Sequence, residues 1–186
     1  MDDSKRILVV VDMQNDFIDG SLGSKEAEAI VPAVVELIRN WDGVVIATRD
    51  THPASYMQTT EGRHLPVEHC ICGTNGWEIN SEVAEALAAC NCSAVIDKPT
   101  FGSVSLVDTL AEYLSDTDFG GGAEITLCGL CTDICVVSNA LLLKASYPEA
   151  EFFVHAGCCA GTSVERHNAA LETMKSCHVN VLYNMT

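Results

Sequence analysis

The apolar run Ile7 to Val11 is continuous rather than alternating, as expected of a β-strand covered on both faces, and it stops at Asp12. Met13 to Ser24 is a polar, Gly-containing loop, after which Val31, Val34, Val35 and Ile38 recur at helical spacing with Pro32 tolerated in the first turn. Val44 to Thr48 predicts a second strand. From Asp50 to Gly76 the chain is long and irregular, and a connection of that length in a compact domain is usually functional. Ile79, Val83, Ala86 and Leu87 share a helical face. Ala94 to Ile96 reads as a third strand, and Leu106, Val107, Leu110, Tyr113 and Leu114 give another amphipathic helix. After a Gly120-Gly121-Gly122 hinge come a strand at Glu124 to Cys128, a strand at Phe152 to His155, a helix at Val164 to Met174 and a strand at Val179 to Tyr183.

One stretch organises the rest. Leu127 to Ala145 begins as a strand, breaks at Gly129, and presents Thr132 and Asp133 before the apolar segment Ile134 to Leu143, so a tight turn and a buried helix with a Thr or Asp cap are expected. Cys135 falls in the first helical turn. Unpaired N–H groups and the positive end of the helix dipole favour a thiolate there. A buried cysteine acting as a small hydrophobe accounts for the stretch equally well.

Strands alternating with helices predict an α/β fold: one domain over residues 1–186, with a six-stranded, mainly parallel sheet and helices on both faces in a Rossmann-like three-layer arrangement. Ligands bind such sheets beyond the carboxyl ends of the strands. Asp12 closes strand one, Asp50 and His52 close strand two, Lys98 closes strand three and Cys135 follows strand four. Taken singly, Asp12 is an ordinary turn residue and Lys98 an ordinary surface charge. Together they place a thiol beside a base and a cation, the arrangement that nucleophilic catalysis at a carbonyl requires.

Composition narrows the setting. A net charge of −16 opposes binding to nucleic acid or anionic membrane, while a neutral small molecule is indifferent to it. No 18-residue apolar span occurs and Met1-Asp2-Asp3 is no signal peptide, so a soluble cytoplasmic protein is expected. Its ten cysteines are then reduced thiols. Cys128, Cys131 and Cys135 also admit a non-enzymatic iron–sulfur or redox module, for which a fourth ligand has no evident source.

VDMQNDF at 11–17, DKPTFGS at 97–103 and GLCTDICV at 129–136 resemble, in order, the three catalytic blocks of the isochorismatase-like cysteine hydrolases. The resemblance implies a triad of Asp12, Lys98 and Cys135. It also implies a cis Leu130–Cys131 peptide and an oxyanion site made by the backbone N–H groups of Cys131 and Cys135. DTHP at 50–53 and LPVEHCICGTNGW at 65–77 are similar to the corresponding segments of nicotinamidases, in which an aspartate and histidines hold a metal. By that similarity Asp50, His52 and His69 are ligands, with Glu61 ahead of His64 as a fourth. Zinc suits this donor set, with iron or manganese also compatible. The sequence departs from one nicotinamidase pattern at Tyr56, where a histidine can stand, and at Leu65, near the place of a tryptophan. Phe17, Tyr56 and Trp77 are candidates for ring binding. The implied activity is hydrolysis of nicotinamide to nicotinic acid and ammonia through a thioester, within NAD salvage. The implied assembly is a homo-oligomer. A related hydrolase acting on a maleamate-like or carbamoyl amide, or on an isochorismate-type vinyl ether, stays open.

Overall fold

In the computed structural model, which describes residues 5–90, 92–114 and 119–183, the first apolar run becomes β1 (Lys5–Val11), buried throughout from Ile7 to Val11. It lies inside a six-stranded sheet with β2 (Val44–Asp50), β3 (Ala94–Lys98), β4 (Ala123–Leu130), β5 (Glu151–Ala160) and β6 (Asn180–Leu182). The order is β3-β2-β1-β4-β5-β6, and every adjacent pair is parallel. β5 outruns its predicted Phe152–His155 core because the β4–β5 register shifts between Leu127 and Gly129, after which Cys159 and Ala160 pair with Gly129 and Leu130.

The chain moves outward from β1 to β3, then returns to the other side of β1 to lay down β4. The switch point therefore falls between β1 and β4, where a doubly wound sheet opens its ligand crevice. Val11 stands opposite Thr48 on one side and Gly129 on the other, and Asp50 stands opposite Lys98. The residues that follow these positions leave the sheet at one level.

Gly129 has φ +113°, and a Cβ there would stand 2.1 Å from the Val11 carbonyl oxygen. That oxygen belongs to the central strand and has nowhere to move. Gly129→Ala is expected to cost more than about 3 kcal/mol, read as a lowered thermal unfolding midpoint; a midpoint equal to the parent's would refute this close-approach argument.

The Met13–Ser24 loop contains the short α1 (Asn15–Ile18). α2 (Lys25–Arg39) starts earlier than its valine pattern suggests, because the Ser24 hydroxyl accepts from the Ala27 N–H and starts the helix on a polar, alanine-rich turn. Pro32 is thus the eighth residue of the helix, not part of its first turn. Pro32 and Glu28 are both exposed, so water can satisfy the Glu28 carbonyl that the proline leaves without a partner. α2 packs with α4 (Ser81–Ala89). On the other face α5 (Val104–Ala111), α6 (Val137–Ser146) and α7 (Val164–Ser176) pack in succession, completing three layers. The long connection after β2 is irregular apart from α3 (Thr60–His64) and two single 3₁₀ turns, Tyr56–Gln58 and Asn75–Trp77. Among the described residues no helix is long and apolar enough to cross a membrane.

Candidate active site

Asp12 takes the left-handed backbone conformation, φ 48°, immediately after β1, which turns its carboxylate under the ends of the neighbouring strands. Thr48 on β2 fixes it twice. The Asp12 N–H donates to the Thr48 carbonyl at 3.2 Å, and the Thr48 hydroxyl donates to Oδ1 at 2.7 Å. Lys98, the last residue of β3, reaches beneath β2 so that its Nζ lies 2.6 Å from Asp12 Oδ2, 3.4 Å from Cys135 Sγ and 3.4 Å from Asp50 Oδ1. Asp12 and Lys98 are completely buried and Cys135 nearly so. The expected base, cation and thiol are therefore brought together.

Cys135 arrives by a different local structure from the one expected. The Leu130–Cys131 peptide is cis, and Thr132–Val136 forms a single π-helical turn before α6. Neither Thr132 nor Asp133 caps α6. Instead the Asp133 carboxylate accepts from the N–H and hydroxyl of Thr162, at 2.8 and 2.6 Å, and the Thr132 hydroxyl meets His167 Nδ1 at 2.8 Å. These contacts pin the turn to the β5–α7 junction. Behind it, Asn139 donates to the Cys135 carbonyl at 2.8 Å and the Phe101 carbonyl at 3.0 Å, and accepts from the Ser103 N–H at 2.9 Å. This fully buried asparagine ties the turn that carries Cys135 to the segment after Lys98. An Asn inside the apolar run Ile134 to Leu143 was a visible signal for it.

The electrostatics also differ from a dipole-stabilised thiolate. Burial, then the adjacent Asp12 carboxylate, push the Cys135 thiol well above its ordinary range, with Lys98 only partly opposing them. Asp12 is raised chiefly by burial, against the pull of Lys98. Burial disfavours the charged ammonium of Lys98, yet Asp12, Cys135 and Asp50 outweigh it and raise its pKa. Burial and Asp12 thus both act against a thiolate at Cys135, and Lys98 is the group that favours one.

A second cluster adjoins the first. Asp50 Oδ2 lies 2.9 Å from His52 Nε2 and 3.6 Å from His69 Nε2, and the three donor atoms all fall within 4.8 Å of one another. Glu61 Oε1 is 3.7 Å from His52 Nε2 and 3.8 Å from His69 Nε2. Ligands bound at about 2.1 Å to one ion stand roughly 3 to 3.5 Å apart, so this spacing fits a shared cation. Two further features agree. His69 Nδ1 lies 2.9 Å from the Val67 carbonyl, so that nitrogen carries the proton and Nε2 offers a lone pair. His52 Nε2 is buried without a hydrogen-bond partner despite its closeness to Asp50. Burial raises the Asp50 pKa, but the adjacent His52 and His69 rings and the charge of Lys98 overcome it and lower it below the usual carboxylate range. His64 borders the cavity but is not among the three converging groups.

Both clusters open on one cavity of about 500 Å³, lined by Asp50, Glu61 and His69 together with Cys131, Cys135, Leu130, Ile134 and Phe17. Phe17 lines the cavity, its ring centroid 5.6 Å from that of His69. Tyr56 and Trp77 do not line it. The Tyr56 ring is fully buried against His52 and His69 and its hydroxyl donates to the Leu65 carbonyl at 2.9 Å, so it backs these two histidines. Trp77 donates to the Thr51 hydroxyl at 2.8 Å and carries the Arg49 guanidinium 3.5 Å above its ring, holding the loop from outside. All ten cysteines are free thiols. Cys128 lies inside the sheet beside Cys158 and Cys159, whereas Cys131 and Cys135 line the cavity, which divides the three cysteines an iron–sulfur cluster would need together.

Comparison with known proteins gives a consistent result. The isochorismatase domain model matches residues 6–183. The chain is 27% identical to the nicotinamidase of Schizosaccharomyces pombe, over 94% of this chain and 91% of that protein. It is 30% identical to an isochorismatase family protein of Bacillus subtilis, over 90% and 92%. Among solved structures, the pyrazinamidase of Pyrococcus horikoshii in complex with zinc superposes with a TM-score of 0.76 at 26% identity, covering 97% of this chain and 99% of that one.

Proposed function

This chain belongs to the isochorismatase family, and we propose that it is a metal-dependent amidohydrolase converting nicotinamide to nicotinic acid and ammonia through a thioester on Cys135. The observation that carries the proposal is the single cavity bordered both by Asp50 and His69 and by Cys131 and Cys135. It lets one small molecule meet a cation at one end and a thiol at the other. The names of the relatives, a nicotinamidase and a zinc-bound pyrazinamidase, agree with an aromatic amide whose ring carries a nitrogen.

In this reading Asp12 removes the Cys135 proton as the sulfur attacks the carboxamide carbon, which converts the neutral thiol into a nucleophile only when substrate is present. The oxygen that becomes negative meets the N–H groups of Cys131 and Cys135. Asp12 returns the proton to the departing ammonia, and the acyl group remains on sulfur. Water, deprotonated by Asp12, then releases the acid and restores the thiol. Lys98 keeps its charge throughout and balances the anionic partner of each pair. Asp50, His52 and His69, with Glu61 as a further oxygen donor, would hold zinc, or iron or manganese. That ion's contribution when bound is Lewis acidity toward the ring nitrogen, which orients the substrate and draws charge from the ring. The product is a pyridine nucleotide precursor, so the reaction belongs to NAD salvage, in a cytoplasm that keeps ten thiols reduced.

The test is ammonia release from nicotinamide and from benzamide, which lacks the ring nitrogen. Nicotinamide is expected to turn over and to stop doing so after chelation, with recovery on adding zinc. Benzamide is expected to be a poor substrate at any metal content. Benzamide hydrolysed as fast as nicotinamide would overturn the nicotinamide assignment, and full activity in metal-free protein would overturn the metal's role.

A further inference from the structure

We infer that Gln14 is a positioning residue for the metal site, setting the Asp50 carboxylate by holding the Asp50 backbone from behind; the inference rests on the reading of Asp50, His52 and His69 as metal ligands. Gln14 is completely buried and lies two residues beyond Asp12. A glutamine amide has one acceptor oxygen and two N–H donors. Here Oε1 accepts from the Asp50 N–H at 2.7 Å, while Nε2 donates to the Asp50 carbonyl at 2.8 Å and to the Trp77 carbonyl at 2.8 Å.

The reason lies in the sheet. Pairing of β1 with β2 ends at Val11 and Thr48, followed only by the Asp12 N–H to the Thr48 carbonyl. Two residues on, Asp50 is still paired with Lys98 of β3, but β1 no longer runs alongside it. The Gln14 side chain takes the missing strand's place and supplies both ladder bonds to Asp50. The third bond, to Trp77, anchors the far end of the loop that carries His69, and Gln14 itself bridges to Ile79 by backbone pairing. The carboxylate set by this peptide faces two ways, with Oδ2 2.9 Å from His52 Nε2 and Oδ1 3.4 Å from Lys98 Nζ. A rotation of the Asp50 peptide would spoil both approaches. Gln14 stands in the VDMQNDF segment, where the triad uses only Asp12.

The test compares the parent protein with Gln14→Met, which keeps the volume and removes all three bonds, and Gln14→Glu, which keeps an acceptor for the Asp50 N–H but faces two carbonyl oxygens without a donor. Zinc affinity is measured by competition with a chromogenic chelator. In parallel, metal-free protein is treated with iodoacetamide and alkylation of Cys135 is followed by peptide mass. Gln14→Met is expected to bind zinc about 10- to 100-fold more weakly, as loss of an outer-sphere partner commonly does, with Cys135 alkylated at the parent rate. Gln14→Glu is expected to move in the same direction and carries the test if Gln14→Met does not fold. Parent-level zinc affinity in the variants overturns the inference. So does a parallel change in affinity and alkylation, or failure of both variants to fold, since either shows that Gln14 supports the fold at large. A parent protein that binds no zinc, iron or manganese overturns the metal reading and this inference with it, whereas unchanged affinity in Gln14→Met overturns the inference alone.

Discussion

Cys135→Ala is expected to remove amide hydrolysis almost entirely, by about 10⁴-fold or more, while leaving a folded protein that still binds metal. The size follows from the resting charge state. Because burial and Asp12 push the thiol's pKa well up, the proposed mechanism makes the sulfur reactive through the adjacent carboxylate, and among the described residues no other thiol shares its 3.4 Å contact with Lys98. Folding is expected to survive because the pair that most needs company, Asp12 and Lys98, keeps its 2.6 Å contact without the sulfur. Cys131→Ala provides the control. Cys131 borders the same cavity, but only its backbone N–H is assigned a role, so its loss should cost far less. Steady-state ammonia release from both variants checks this. Similar residual activity in the two would overturn the thioester mechanism.

The architecture was legible in the sequence because a parallel sheet buries both faces of its strands. Ile7 to Val11 and Leu127 onward therefore read as continuous apolar runs, and the residues that end them mark one rim of the sheet. Asp12, Lys98 and Cys135 fell out of that rule. What stayed hidden depended on contacts between segments distant in sequence. Asp133 looked like a helix cap because its local context matches one, yet Thr162, 29 residues later, claims its carboxylate. Cys135 looked like a thiolate because a helix dipole is a local property, while the burial and the Asp12 charge that decide its state are not. Tyr56 and Trp77 had the ring chemistry for substrate binding, but side-chain direction in an irregular loop has no periodicity to reveal it. Pro32 was misplaced because its helix begins on Lys25 to Ala29, where alanine and charged residues carry no apolar pattern.

Asp12→Asn is expected to lower turnover by about 10²- to 10⁴-fold, the range associated with loss of a general base; the Thr48 hydroxyl can still donate to the amide oxygen, while the amide nitrogen replaces the oxygen that faced Lys98. Lys98→Met separates the base from its electrostatic partner. In the parent, burial raises the Asp12 pKa and Lys98 lowers it, so removing the ammonium leaves burial and the Asp50 charge opposed only by the weaker effect of the Thr48 hydrogen bond. The base is active as the carboxylate, and activity falls as pH drops through its pKa. The acidic limb of the pH–rate profile should therefore move to higher pH in Lys98→Met, and the variant should recover part of its lost activity as pH rises. The alkaline side provides a second reading, because Lys98 also opposes the raised pKa of Cys135. Without the lysine the thiol should resist ionisation further, and alkylation of Cys135 should need a higher pH than in the parent. An acidic limb unmoved in Lys98→Met would show that the 2.6 Å contact between Lys98 and Asp12 does not govern the base, and would leave the lysine a purely structural cation.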